Sequence, residues 1–208
     1  MWNQRSTALD PTCNLCNSGL RESVKHILCT WSHAPLANLQ NARHKTVSEL
    51  CIRLEITKAK GRLSDLQVST HLQNMVDPSV PIDPATECED ICFTFTLDGV
   101  KEYHVWEITV PMDNAIHVAV GQRRFKYAQV LSTLSDAAGT TIQYEIFAFG
   151  VMRAIPANFE KTLRSLSPSS QTDWPVDEIY KALLYYNHAL WCKRVQEVRA
   201  RVANPANG

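Results

Sequence analysis

From Ile91 to Val110 the chain reads ICFTFTLDGVKEYHVWEITV. Apolar residues alternate with smaller or polar ones through Ile91, Phe93, Phe95 and Leu97, and a second run rich in Val, Tyr, Trp and Ile follows Asp98-Gly99. Alternation with a period of two marks a strand, and an Asp-Gly pair between two such runs tolerates the backbone angles of a two-residue hairpin turn. With Asp98 and Gly99 at the centre of that turn, Leu97 faces Val100, Phe95 faces Glu102, Phe93 faces His104 and Asp90 faces Glu107. The last pair sets two carboxylates about 5 Å apart at Cβ on one face, which is unfavourable unless a positive charge sits between them. Magnesium suits hard oxygen ligands of this kind and can activate water toward a phosphodiester. A turn one residue longer would shift the register and leave either acid in solvent, and spacing alone does not choose between the two.

Working outward, Ala115 to Leu134 carries Val120, Tyr127, Leu131 and Leu134 at helical spacing, and Gly139 precedes a β-rich run from Thr141 to Val151. A strand-helix-strand unit normally sets its strands parallel with a right-handed crossover, so an α/β fold with a mixed sheet is expected: β-hairpin, helix, parallel strand. Past Pro175, Val176 to Val202 reads as a closing helix through Ile179, Leu183, Tyr186 and Leu190. Toward the N-terminus, helical spacing from Ser23 to about Lys60 predicts two or three short helices. Gly61 to Pro84, with Asp77-Pro78, Pro81 and Asp83-Pro84, reads as a connection. The expected division is residues 1–60 as tail, zinc motif and helical appendage, 61–86 as connection, 87–203 as core, and 204–208 as a disordered tail.

The 208 residues are 45% hydrophobic, enough for one principal core. Lys plus Arg and Asp plus Glu are each 21, so there is no overall basic field to capture nucleic acid and any DNA contact must be local. No apolar run reaches membrane-spanning length, and the residues from Met1 lack a signal-peptide core. A soluble chain in a reducing compartment, with no membrane partner, is expected.

Seven cysteines include Cys13-Asn14-Leu15-Cys16, followed by His26 and Cys29. Soft thiolates and imidazole suit structural zinc, with His26 and Cys29 on one helical face; His33 is an alternative fourth ligand. Free thiols and an ordinary polar histidine are the plain alternative. Cys51, Cys88, Cys92 and Cys192 lack ligand spacing and are expected to be small buried residues. On the helix after the hairpin, Arg123, Arg124 and Lys126 with Tyr127 form a compact basic group near the acids. Arg123 and Lys126 share a face that can reach a phosphate or polarise a water, or is simply solvated. Arg43-His44 adds positive charge upstream.

Taken in order, the Cys13, Cys16, His26, Cys29 motif, Arg43-His44, Asp90, the run Glu107-Ile108-Thr109-Val110-Pro111, Arg123-x-x-Lys126-Tyr127 and Gly150 to Pro156 resemble the C-terminal region of non-long-terminal-repeat retrotransposons with a restriction-like endonuclease of the PD-(D/E)XK class. The similarity covers roughly residues 10 to 170. It implies a nuclease that nicks target DNA to prime reverse transcription, with structural zinc at the cysteine/histidine motif and catalytic magnesium at Asp90 and Glu107. By the same resemblance Lys126, Arg123 and Tyr127 are catalytic and Arg43, His44 and Arg124 contact DNA. The partners implied are target DNA, element RNA and the reverse transcriptase domain of a parent polyprotein, in the nucleus. Arg123 stands where a lysine is usual and Glu89 where a proline is usual, so a catalytically inactive nucleic-acid-binding remnant is the alternative.

Overall fold

The computed structural model of the chain describes residues 12, 13, 15, 23–29, 34–59, 64–82, 91–97, 99–152, 154, 158–159, 161 and 173–203. The expected disordered tail, Asp90, Cys16, His33 and Cys88 lie outside them. In chain order the elements are α1 (Val24–Cys29), α2 (Ala34–Ala59), β1 (Ser64–Ser69), α3 (Leu72–Val76), β2 (Ile91–Leu97), β3 (Val100–Thr109), a 3-10 turn (Asp113–Ala115), α4 (Ile116–Ala138), β4 (Gln143–Ala148) and α5 (Asp173–Ala203). This is a mixed α/β fold. None of the described helices is long and apolar enough to cross a membrane.

The sheet has the order β1-β2-β3-β4. β2 and β3 form the hairpin, with Leu97 paired to Val100, Phe95 to Glu102, Phe93 to His104 and Ile91 to Trp106. Gly99 has φ +81°, the left-handed geometry that glycine adopts without a Cβ penalty. β3 runs parallel to β4, with Glu107 beside Ile146 and Thr109 beside Ala148, and α4 lies between them in sequence. β1 adds antiparallel to β2.

Period-two alternation gives the sheet two apolar faces. One carries Phe93, Phe95, Trp106, Ile108 and Phe147, packed with Val47 and Cys51 of α2 and with Ile179 and Leu183 of α5. Its rings interlock: His104 stacks on Phe93 and Phe95 at centroid distances of 5.1 and 4.9 Å, and Trp106 meets Phe147 edge-on at 4.9 Å. Each large side chain buried here contributes about 1.5–3 kcal/mol. The other face carries Cys92, Tyr103 and Val105 against Val130 and Leu134 of α4 and Leu72 of α3. Glu107 follows Val105 on this second face.

The chain divides into two compact units, Met1–Ala42 with Tyr185–Gly208, and Arg43–Leu184. The second contains the sheet. In the first, Cys13, Leu15, His26, Ile27, Leu28, Leu36 and Leu190 are buried. Ser23 caps α1 by accepting the His26 amide at 3.1 Å. Gln40 donates to the Ile27 carbonyl at 3.3 Å and Arg201 to that of Leu15 at 3.2 Å.

Two features differ from the sequence reading. The stretch expected to be a plain connection supplies β1 and α3, because the open edge of β2 offers hydrogen bonds to a segment with little apolar pattern of its own. The two or three short helices are α1 followed by one helix of 26 residues, α2; Pro35 sits in its first turn, where a missing N–H costs nothing. The two units divide within α2 and α5, and Val47 and Cys51 of α2 pack on the sheet.

Candidate functional site at the end of the third strand

Glu107 is only 2% exposed. A carboxylate so deep requires a partner, since an uncompensated buried charge is strongly destabilising. Arg123 supplies one: its Nη1 lies 2.9 Å from Glu107 Oε1. The second carboxylate oxygen, Oε2, is also closed off from solvent. The Arg123 side chain is 37% exposed, so the pair sits where the sheet face meets water.

Helix geometry explains why Arg123 arrives there. Tyr127, Val130 and Leu134 are the buried residues of α4, and Arg123 lies one turn before Tyr127 on the same stripe. Where an apolar residue would continue that stripe, the helix offers a guanidinium to the acid of β3. The Tyr127 ring packs edge-on against Tyr144 of β4 at 6.0 Å. Lys126 Nζ donates to the Tyr127 hydroxyl at 3.2 Å and lies 4.8 Å from the ring centroid. Arg123, Lys126 and Tyr127 therefore gather on the flank of α4 that meets the sheet. Arg124 is exposed.

The other expected contacts to DNA are placed differently. Arg43 is buried. His44 Nε2 lies 2.9 Å from the Ile108 carbonyl oxygen, so the protonated Nε2 donates to it and ties α2 to β3 one residue beyond Glu107. His44 braces the sheet from a half-buried position, and burial leaves Arg43 little surface to offer a phosphate.

Asp113 was not singled out from the sequence, yet it organises the rim. Its carboxylate accepts the amides of Met152 at 2.7 Å and Ala154 at 3.0 Å. Val151 donates to the Pro111 carbonyl at 3.0 Å, and Gly150 to that of Ala154 at 2.7 Å. The loop after β4 is thereby fastened to the turn that enters α4. A Cβ at Gly150 would collide with the Asp113 carboxylate and the Ala154 methyl group, so glycine is needed there for close approach. The only sequence signal was an acid two residues after Pro111 at a helix entry, which marks a turn rather than this long-range clasp.

Asp90 lies outside the described residues. Of the expected zinc ligands, Cys13 and His26 are buried and Cys29 is half-buried, with neither cysteine in a disulfide. Their donor chemistry suits a soft divalent ion. Among the described residues no group of three or more His, Cys, Asp or Glu side chains is arranged to hold a metal. Cys51 and Cys92 are fully buried, as expected, whereas Cys192 is half-buried. Compared with known proteins, the chain matches no family model, and no curated protein matches its sequence.

Proposed function

We propose that the chain is a divalent-metal-dependent DNA endonuclease of the restriction-like type, acting at the end of β3, with a structural zinc motif in its N-terminal unit. The observation that carries this reading is the position of Glu107, held on the α4 face of a hairpin strand with Arg123, Lys126 and Tyr127 gathered beside it. The β2-β3 ladder runs in register to Ile91 and Trp106. One further pair would set Asp90 opposite Glu107, on the face shared by Cys92 and Val105.

Asp90 and Glu107 would hold magnesium, whose carboxylate-oxygen preference they meet; when bound, it neutralises phosphate charge and activates water. Arg123 and Lys126 stabilise the charge that develops on the phosphoryl oxygens. Arg123 cannot serve as a base, because a guanidinium keeps its proton. The Tyr127 hydroxyl holds the Lys126 ammonium at the rim, and exposed Arg124 contacts the DNA backbone. Zinc would be held by Cys13, Cys16, His26 and either Cys29 or His33. A nicking assay on supercoiled DNA tests the proposal. Magnesium should support conversion to open circles, chelator should abolish it, and Glu107→Gln should lose it while still binding DNA.

The ion pair itself favours a second reading, a nucleic-acid-binding remnant. Glu107 Oε1 is already engaged by a guanidinium, which competes with a metal ion for the same oxygen. On that reading the wild-type chain binds DNA without cutting it, and Arg123→Lys, which restores the residue usual in the resembled family, gains magnesium-dependent nicking.

A further inference from the structure

Away from the sheet, α5 carries a second pair of metal-ligating side chains. His188 and Cys192 stand four residues apart, one above the other on the helix. The Cys192 Sγ lies 3.5 Å from His188 Nε2 and 3.9 Å from Nδ1, against the face of the imidazole ring. A tetrahedral zinc ion with a thiolate at about 2.3 Å and an imidazole at about 2.0–2.1 Å separates those two ligand atoms by about 3.5 Å. The two side chains stand at that separation, and turning the exposed His188 ring about its Cβ–Cγ bond aims the Nε2 lone pair at an ion shared with Cys192.

Their surroundings leave the pair accessible. His188 is exposed and Cys192 half-buried, and Cys192 forms no disulfide. Lys193, the nearest cation in sequence, is bound to Glu197 at 2.8 Å. A helix holds both ligand backbones at fixed spacing, so the second bond to an ion forms without the entropy cost of closing a loop.

We propose that His188 and Cys192 form a bidentate site for a soft divalent cation of the zinc class, distinct from the N-terminal cysteine/histidine motif and from the acids of the sheet. Neutral Nε2 and the Cys192 thiolate supply two ligands, the thiol proton passes to solvent on binding, and water fills the remaining positions. No third His, Cys, Asp or Glu joins the pair among the described residues, so the site is a surface clip that exchanges its ion.

The test uses the full chain, loaded with one equivalent of zinc and then titrated with cobalt(II), beside Cys192→Ser and His188→Ala. The wild type should take up one more cobalt than Cys192→Ser, with a near-ultraviolet thiolate-to-cobalt band in the wild-type minus Cys192→Ser difference spectrum. His188→Ala should bind that cobalt at least about ten-fold more weakly, since it loses the intramolecular second ligand. Broadening of the His188 ring protons by cobalt gives a readout that needs no variant. Superimposed titrations of the wild type and both variants, or His188 signals untouched by cobalt, would overturn the proposal.

Discussion

Replacing Arg123 by methionine keeps most of the side-chain volume and removes the charge opposite Glu107. At the observed 2.9 Å, opposite unit charges attract by about 6 kcal/mol at an effective dielectric of ~20. Desolvation of the buried carboxylate offsets much of that attraction, but deleting one member of a buried pair leaves the offset without its gain, at roughly 3–5 kcal/mol. Solvent reaches more than a third of the Arg123 side chain, which screens the stranded charge and lowers the expected loss to about 2–3 kcal/mol. At about 2–4 °C per kcal/mol in a chain of this size, the unfolding midpoint should fall by roughly 5–10 °C. Adding Glu107→Gln should recover part of the loss, giving a coupling of about 1–3 kcal/mol in the double-mutant cycle. Thermal unfolding by circular dichroism at low and high salt measures all four proteins; a buried pair responds weakly to salt. If Arg123→Met unfolds within about 0.5 kcal/mol of wild type, or the two changes simply add, the pair does not hold Glu107 as argued.

Gly150→Ala should cost about 1–3 kcal/mol by overpacking against Asp113 and Ala154, and an unchanged denaturation midpoint would mean the loop yields freely. The Ser79 hydroxyl, then the Ser79 amide, hold the Asp77 carboxyl below its ordinary value. That contribution is present above the unfolded carboxylate range and is lost as pH falls through the lower folded-state value, so Ser79→Ala should raise the Asp77 midpoint in an NMR titration. Chelating zinc should speed amide exchange in α1 while β2 and β3 keep their protection; equal loss in both would tie the sheet to the metal. Lys126→Ala should lower the nicking rate more than DNA affinity, whereas equal losses would make Lys126 a backbone contact only.

What the sequence revealed depended on how strongly local chemistry constrained each segment. The hairpin was legible because Asp98-Gly99 stands between two alternating runs, but its register was open by one residue until the ladder from Leu97 beside Val100 to Ile91 beside Trp106 chose the shorter turn. β1 was not legible: Ser64–Ser69 reads SDLQVS, its pairing register shifts between Ser64 and Gln67, and Asp65 turns to φ +57° within that shift. Such a strand is recruited by an edge rather than specified by its own pattern. The continuity of α2 was hidden because three of its inward residues, Arg43, His44 and Ser48, are polar. Leu36, Arg43, Val47 and Cys51 are buried at spacings of seven, four and four, and His44 bonds the sheet, so a reading of apolar periodicity sees a gap where the helix continues. The same polar character made Arg43 and His44 look like surface groups for DNA. On α4, spacing placed Arg123 and Lys126 on one face, but only packing revealed that Arg123 grips Glu107 while Lys126 turns to Tyr127.

Magnesium binding to the full chain, measured by titration calorimetry, tests most directly whether Asp90 and Glu107 form one metal site. The account predicts a single site whose heat disappears in both Asp90→Asn and Glu107→Gln, and a wild-type fold that magnesium stabilises by binding only the native state. Binding that persists unchanged in both variants, or no binding by the wild type and none by Arg123→Lys, would contradict it.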